Sequence, residues 1–452
     1  MSQVKDSVFH TDHILELNKA LDSGSLSQVR QMLNTLPAAG IAHLLESSPP
    51  KVRSVLWQLV DNATEGEVLQ YFNEDIQSEI LKGLSAEEVA TLTEGLETDN
   101  LADILQHLPH QVTSQVLQAM DAQDRQRVET ILSYPEDTAG GLMNTDSITV
   151  RARHTLDVVL RYLRRHDTIP EMTDNILVVN RDDIFLGILP LRKLLVSDPA
   201  VTVREVMVTD IEAIPVDLEA AHVAQLFEQH DWVSAPVIDK NGKLLGRITI
   251  DDIVDVIRDT AEHSLMSMAG LDEEDDTFAP VIKTARRRAV WLGVNLMTAI
   301  IASLVIFLFQ DTLDQVVYLA VLMPIVANMG GVAGSQTLTL VIRSLALGHI
   351  SQSNTRWLLA RELGVAVLNG LIWAFVISVI TYIWYQELLL SYIIAAAMMI
   401  NLVTAALAGA YIPLFLKSKN IDPALAGSVA LTTVTDSVGF FAFLGLANVF
   451  YL

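Results

Sequence analysis

The last apolar stretch of the chain contains "TTVTDSVGFFAF", residues 432–443, with one carboxylate, Asp436, and no basic residue to pair with it. An ionised group at mid-bilayer depth costs at least ~2.5 kcal/mol unless it faces water, a partner or an ion. Thr432, Thr433, Thr435 and Ser437 surround Asp436 with hydroxyls. A wall of hydroxyl oxygens around one carboxylate suits a hydrated cation path. The alternative is a protonated carboxyl hydrogen-bonded to a neighbouring helix. A second polar apolar-stretch motif, "PIVANMGGVAGSQTLT" at 324–339, supplies Asn328 and Gln336 among Gly330, Gly331 and Gly334, with Pro324 removing a backbone donor. Asn328, Gly330, Gly331, Gln336, Thr432 and Thr435 are therefore candidate lining residues, and Asn401 in "MINLVTA" is a further intramembrane amide.

These residues need helices long enough to cross a bilayer, about 20 residues each. Five stretches qualify, at roughly 290–309, 316–342, 363–385, 388–416 and 424–451. The second and fourth are long enough to tilt or bend. Asp436 falls near the middle of the fifth. Arg286, Arg287 and Arg288 precede the first span, Arg343, Arg356 and Arg361 lie between the second and third, and Lys417 and Lys419 lie between the fourth and fifth. The alternate connections, "QDTLDQ" and "QE", hold no base. This asymmetry places the preceding region in the cytoplasm and the C-terminus outside a cell or inner membrane. One carboxylate per chain is thin provision for a multivalent cation, and a two-fold homodimer would bring two copies of Asp436 to one axis. Carboxylates that close hinder each other's ionisation unless a cation sits between them.

Composition divides the chain in the same place. After Arg288 only six acids and five bases occur; removing them from the chain's 54 and 30 leaves 48 acids against 25 bases in residues 1–288, about −23 of the total −24. Such a field repels nucleic acid and gathers cations. Cysteine is absent, which removes disulfides, thiolate metal sites and thiol nucleophiles. The first 30 residues are polar and hold no signal-peptide core. No Walker motif, Ser/His/Asp arrangement or recognisable pair of catalytic carboxylates is present, so the expectation is not an enzyme.

Within the acidic half, "ILVVNRDDIFLGILPLRKLL" at 176–195 and "APVIDKNGKLLGRITIDDIV" at 235–254 align without gaps at an offset of 59, matching Val178 with Val237 and Gly187 with Gly246. Each follows an apolar strand and an amphipathic helix, giving a repeated β-α-β-β-α unit. The repeat resembles the CBS domain, which occurs as a pair that often binds adenine nucleotides. Residues 14–133 read as short helices with breaks at Pro, Ser or Asp, such as "LSQVRQMLNTLP" and "NLADILQHLP", and predict an α-superhelical domain. The expected architecture is a multi-domain membrane protein: 1–133 helical, 134–200 and 201–257 tandem α/β CBS domains, 258–288 a connecting helix passing "LDEEDD", and 289–452 a five-helix all-α transmembrane domain.

This order resembles the MgtE family of magnesium transporters over almost the whole chain. Three phrases carry the resemblance: "YPEDTAGGLM" at 134–143, "GGVAGSQTLTLVIRSLA" at 330–346 and "IDPALAGSVALTTVTDSVG" at 421–439. It implies a homodimeric Mg²⁺ channel whose central ion-binding carboxylate is Asp436, with Mg²⁺ ions between acidic cytosolic domains holding the pore shut. Carried over by position, Asp99, Asp103, Asp231, Asp252 and Asp255 match acidic positions that bind such ions, and ATP at the CBS pair is implied as a modulator. Two departures bear on selectivity and gating: Val332 and Ser335 stand where the family usually has Asn, and Thr260, His263 and Ser264 stand where it can carry acids. Mg²⁺ keeps several waters and takes one or two carboxylates, which fits paired Asp436 side chains. The competing readings are an H⁺- or Na⁺-coupled divalent cation exchanger and a membrane-anchored CBS sensor that transports nothing.

Overall fold

The computed structural model describes residues 26–451 except 83, 94, 95, 107, 109, 167, 272–277, 352 and 420. The helical reading of 14–25 and the acids of "LDEEDD" after Leu271 lie outside the described residues. The chain forms two compact units, one holding the described residues up to Thr260 together with Phe278 and Ala279, the other holding Ala261–Leu271 and the described residues from Pro280 onward.

The first unit opens with nine helices among the described residues: α1 (Leu26–Leu33), α2 (Ala38–Glu46), α3 (Pro50–Trp57), α4 (Glu65–Leu69), α5 (Glu74–Leu81), α6 (Ala86–Leu92), α7 (Thr98–Gln106), α8 (His110–Ala119) and α9 (Ala122–Leu132). They are short because the sequence keeps restarting them. Pro37 and Pro49 stand at the N-caps of α2 and α3, the Asn73 side chain accepts from the Ile76 amide, Ser85 and Glu88 form a capping box, and Asp121 accepts from the amides of Gln123 and Asp124. Leu33, Leu45, Leu56, Leu69, Ile104 and Ile131 form a fully buried seam that continues into Val237 and Phe227 of the second α/β repeat. No helix of this length is stable alone, so burial against its neighbours carries the domain.

Two α/β repeats follow. The first contains β1 (Thr149–Arg151), α10 (Leu156–Leu163), β2 (Asn175–Val179), β3 (Phe185–Pro190), α11 (Leu191–Val196) and α12 (Val203–Val206); the second contains β4 (Ile214–Pro215), α13 (Ala220–His230), β5 (Ser234–Ile238) and β6 (Leu244–Thr249). Each sheet has one parallel and one antiparallel pairing, in chain order. Val178 pairs with Gly187 and Val237 with Gly246, and each register shifts one residue later, so the repeat at offset 59 is structural down to its irregularity. The glycines are fixed by close backbone approach. A Cβ at Gly187 would lie 2.3 Å from the Val208 carbonyl oxygen, and one at Gly246 would lie 2.5 Å from that of Asn144. Bridges Ile188–Val208 and Asn144–Arg247 show why: the segment leading into each repeat lies along the other repeat's hairpin.

The connection to the membrane differs from the single helix expected over 258–288. Helix α14 runs Ile250–Met268, beginning directly after β6. It ends where Gly270 turns left-handed (φ 70) and the Leu271 amide bonds back to the Met266 carbonyl. A new helix, α15 (Val281–Phe307), starts after the extended Pro280. The other long helices are α17 (Tyr318–Ala346), α18 (Thr355–Tyr385), α19 (Leu388–Ser418) and α20 (Pro423–Tyr451); the short α16 (Gln310–Gln315) lies between α15 and α17. Among the described residues five helices are thus long and apolar enough to cross a membrane. Helix α19 is the centre of the bundle, packed against α17, α18 and α20, whereas α15 packs mainly on α20. Small residues permit this. A Cβ at Gly409 of α19 would meet the Gly334 carbonyl oxygen of α17 at 2.7 Å.

Candidate cation site

Helices α17 and α20 form the two walls of an open groove of about 950 Å³. Asn328, Gly331, Val332, Ser335 and Gln336 line it from α17, with Pro324 near one end; Thr432 and Asp436 line it from α20. Asp436 is half-buried, 13 residues into a 29-residue helix, and among the described residues no hydrogen-bond donor or base contacts its carboxylate. The arrangement thus lacks the neighbouring-helix bond that a structural carboxyl would need. Two of the hydroxyls facing the groove have their protons committed elsewhere. Thr432 Oγ1 donates to the Ser428 carbonyl at 2.9 Å and Ser335 Oγ to the Gly331 carbonyl at 2.8 Å. Each therefore turns oxygen lone pairs, and no proton, toward any occupant. With Asp436 as its one charged group, such a lining favours a cation.

Three candidates from the sequence do not line this groove. Gly330, Thr435 and Asn401 are buried on the inner faces of the bundle, because the helical period of 3.6 turns 330 and 435 away from the walls that carry 328, 331, 332 and 436. Asn401 is fully buried on α19 and donates from Nδ2 to the Val326 carbonyl at 2.8 Å.

The sequence reading also passed over a polar crevice of about 210 Å³ between α17 and α18, floored by Leu402 and Ala406 of α19. Glu362 is buried there; it accepts from Thr337 Oγ1 at 3.1 Å and from Arg361 Nη1 at 2.5 Å. A span starting at 363 left Arg361 and Glu362 in a connection, but α18 begins at Thr355 and carries both into the bundle. The adjacent Arg-Glu pair at the edge of an apolar run was the available signal.

The acids of the first unit behave differently. Asp99 on α7 is buried, and that burial, with the charges of Glu97 and Asp251, pushes its carboxyl up to about 7. Asp252 at the start of α14 is raised well above the ordinary range by burial and by the charges of Asp99 and Asp251. Crowding by protein raises Asp103, with further upward push from Asp99, Glu136 and Asp255, although its surface is open to water. Asp255 is also raised, first by burial and against the pull of Arg258. Asp99, Asp103, Asp252 and Asp255 are thus brought into one field of like charge. Asp231 does not join them: it occupies the exposed, left-handed C-cap of α13 (φ 52). Among the described residues no three acids or imidazoles converge to metal-ligating distance. Near the start of α20, Asp422 caps the helix by accepting from the amides of Ala424 and Leu425, and His263 Nε2 of α14 lies 3.2 Å from the same carboxylate. His263 thus faces an acid directly.

An acidic helical and CBS assembly followed by five membrane-length helices, two of which build an oxygen-lined carboxylate groove, defines a multi-domain membrane transport protein. The comparisons agree. A family model described as a divalent cation transporter, MgtE, matches residues 323–446, the MgtE intracellular N domain matches 36–137, and CBS domains match 139–198 and 203–259. A magnesium transporter MgtE of Thermus thermophilus is 30% identical over 439 residues, 96% of this chain and 97% of the relative. One of Bacillus subtilis is 27% identical over 97% of both chains. The crystal structure of the cytosolic domain of the Mg²⁺ channel MgtE in complex with ATP matches at 32% identity and a TM-score of 0.50, covering 54% of this chain and 99% of that one. The chain belongs to the MgtE family of magnesium transporters.

Proposed function

We propose that the chain is a Mg²⁺-permeable channel of the plasma membrane in which two copies face each other across the α17–α20 groove. The observation that carries this reading is the Asp436 carboxylate, which stands on an oxygen-lined wall without a protein donor. A groove open along one side is half of a conduit, and a second copy related by a two-fold axis completes it while supplying a second Asp436. Two carboxylates then balance one divalent ion that keeps part of its hydration shell, with threonine and serine oxygens accepting from its waters. Val332 and Ser335 place a methyl wall and a hydroxyl, in place of two carboxamides, beside that ion.

In this reading the first unit is a cytosolic Mg²⁺ sensor. Asp99, Asp103, Asp252 and Asp255 repel one another when bare, and cations neutralising them favour the closed arrangement. Asp231 contributes from its separate position. The CBS pair takes an adenine nucleotide, as the related ATP complex suggests. The base-rich connections put this unit in the cytoplasm and the end of α20 outside.

The decisive experiment is divalent uptake into proteoliposomes by the full chain and by Asp436→Ala, with Mg²⁺, Mn²⁺ and Co²⁺. Uptake that needs no H⁺ or Na⁺ gradient and disappears in the variant supports a channel. Dependence on such a gradient would point to exchange, and uptake equal to empty liposomes would leave a membrane-anchored sensor.

A further inference from the structure

We propose that Asn401 is a positioning residue for the groove: it fixes the separation and register of the two walls from behind and thereby sets which divalent ion passes. The proposal rests on the permeation reading of that groove. Asn401 lies on α19, the central helix, with no exposed surface. Its Nδ2 donates to the Val326 carbonyl of α17 at 2.8 Å. The same carboxamide fills the space left by two glycines, one on each wall. A Cβ at Gly330 of α17 would lie 2.2 Å from Nδ2, and a Cβ at Gly439 of α20 would lie 2.7 Å from it.

Both contacts sit directly behind lining residues. Gly330 precedes Gly331, which faces the groove, and Gly439 follows Asp436 by three residues, nearly one turn. A rotation or slide of either wall therefore has to pass through the Asn401 side chain. Packing alone does not explain an amide here. Among the described residues Asn401 Oδ1 is buried without a hydrogen-bond partner, a state that destabilises the fold and that an apolar side chain would avoid. Buried polar groups of this kind are best attested as devices that fix one register among several that hydrophobic packing would tolerate. Groove width matters because Mg²⁺ and Ca²⁺ differ by about 0.3 Å or more in their oxygen distances and in how readily they lose water.

The test measures Mg²⁺ and Ca²⁺ uptake in proteoliposomes for the full chain, Asn401→Leu, Gly439→Ala and Asp436→Asn, each confirmed monodisperse and normalised to incorporated protein. Asn401→Leu removes the donor while keeping the number of side-chain heavy atoms, and Gly439→Ala pushes on the same contact from the other wall. Both are expected to change the Mg²⁺/Ca²⁺ uptake ratio about tenfold, the scale of one buried hydrogen bond lost without replacement. A purely structural residue would lower both fluxes together and leave the ratio alone. An unchanged ratio in either folded variant, while Asp436→Asn abolishes uptake, overturns the positioning role and spares the groove. Uptake by Asp436→Asn equal to that of the unmodified chain overturns the groove reading, and this proposal with it. If neither Asn401→Leu nor Gly439→Ala yields folded protein, Asn401 belongs to bundle assembly and the positioning role is likewise overturned.

Discussion

The soluble unit and the membrane unit solve opposite electrostatic problems with the same side chain. In the first, burial and then neighbouring acids raise the carboxyls of Asp99, Asp103, Asp252 and Asp255. In the second, Asp436 stands without a charged neighbour among the described residues, beside a Thr432 hydroxyl whose proton is committed to the Ser428 carbonyl. Near water, repulsion between acids can be tolerated and used, because small movements relieve it. Within hydrocarbon even one charge is costly, and the proposed function accordingly has the membrane wall carry a single acid and leave the rest of the ion's shell to neutral oxygens. In the proposed function, crowded acids make a sensor responsive to ion concentration, and an isolated acid makes a resting place that an ion can leave.

The largest expected effect tests the isolated acid. Asp436→Ala should reduce Mg²⁺ uptake to that of empty liposomes, and substantial residual uptake would break the contrast at its membrane end. Next is the crowded cluster. In wild-type protein, millimolar Mg²⁺ should slow proteolysis of residues 26–260 severalfold, and Asp99→Asn combined with Asp252→Asn should abolish most of that protection while raising metal-free stability by several degrees in Tm. A digestion pattern insensitive to Mg²⁺ in both proteins would remove the sensor.

A smaller effect is expected with pH. The folded carboxyl of Asp99 binds its proton up to about 7, whereas the unfolded one releases it near 3.8. Its stabilising contribution is therefore complete below about pH 4 and is lost as pH rises through 7. Metal-free thermal melts should accordingly show Tm falling between pH 5 and 8 on account of this group, with a shallower fall in Asp99→Asn; equal slopes would deny the crowding. The smallest change is Thr432→Val, which removes one neutral oxygen beside Asp436. A fall in Mg²⁺ uptake of about threefold, on the order of one modest hydrogen bond, is expected, and a loss as complete as that of Asp436→Ala would blur the distinction between charge and neutral oxygen.

Much of this contrast could be read in the residues. Asp436 was conspicuous because an unpaired acid in an apolar run has few explanations, and the offset of 59 exposed the repeated sheet because Val178–Gly187 and Val237–Gly246 are the same backbone device used twice. Helix faces were harder. Nothing local distinguishes Thr432 from Thr435 until packing decides which side meets α19, and Asn401 looked like a lining amide although its neighbours are two glycines from other helices. Glu362 was hidden by a boundary: hydropathy begins a span where charge ends, at 363, yet the backbone helix starts eight residues earlier at Thr355. Contacts between distant segments, such as His263 with Asp422, leave no trace in either segment alone.

The loose attachment of α15 bears on how the protein is made. Only 6% of its most apolar window is buried within the chain, and its main contact is α20, the last long helix to be synthesised. When α15 enters the bilayer its neighbour does not yet exist, so its apolar surface must make it stable there unaided. The pairing of α15 with α20 then closes the widest sequence separation among the five spans, which sets it among the last steps of assembly and makes C-terminal truncation harmful to the first helix as well as the fifth.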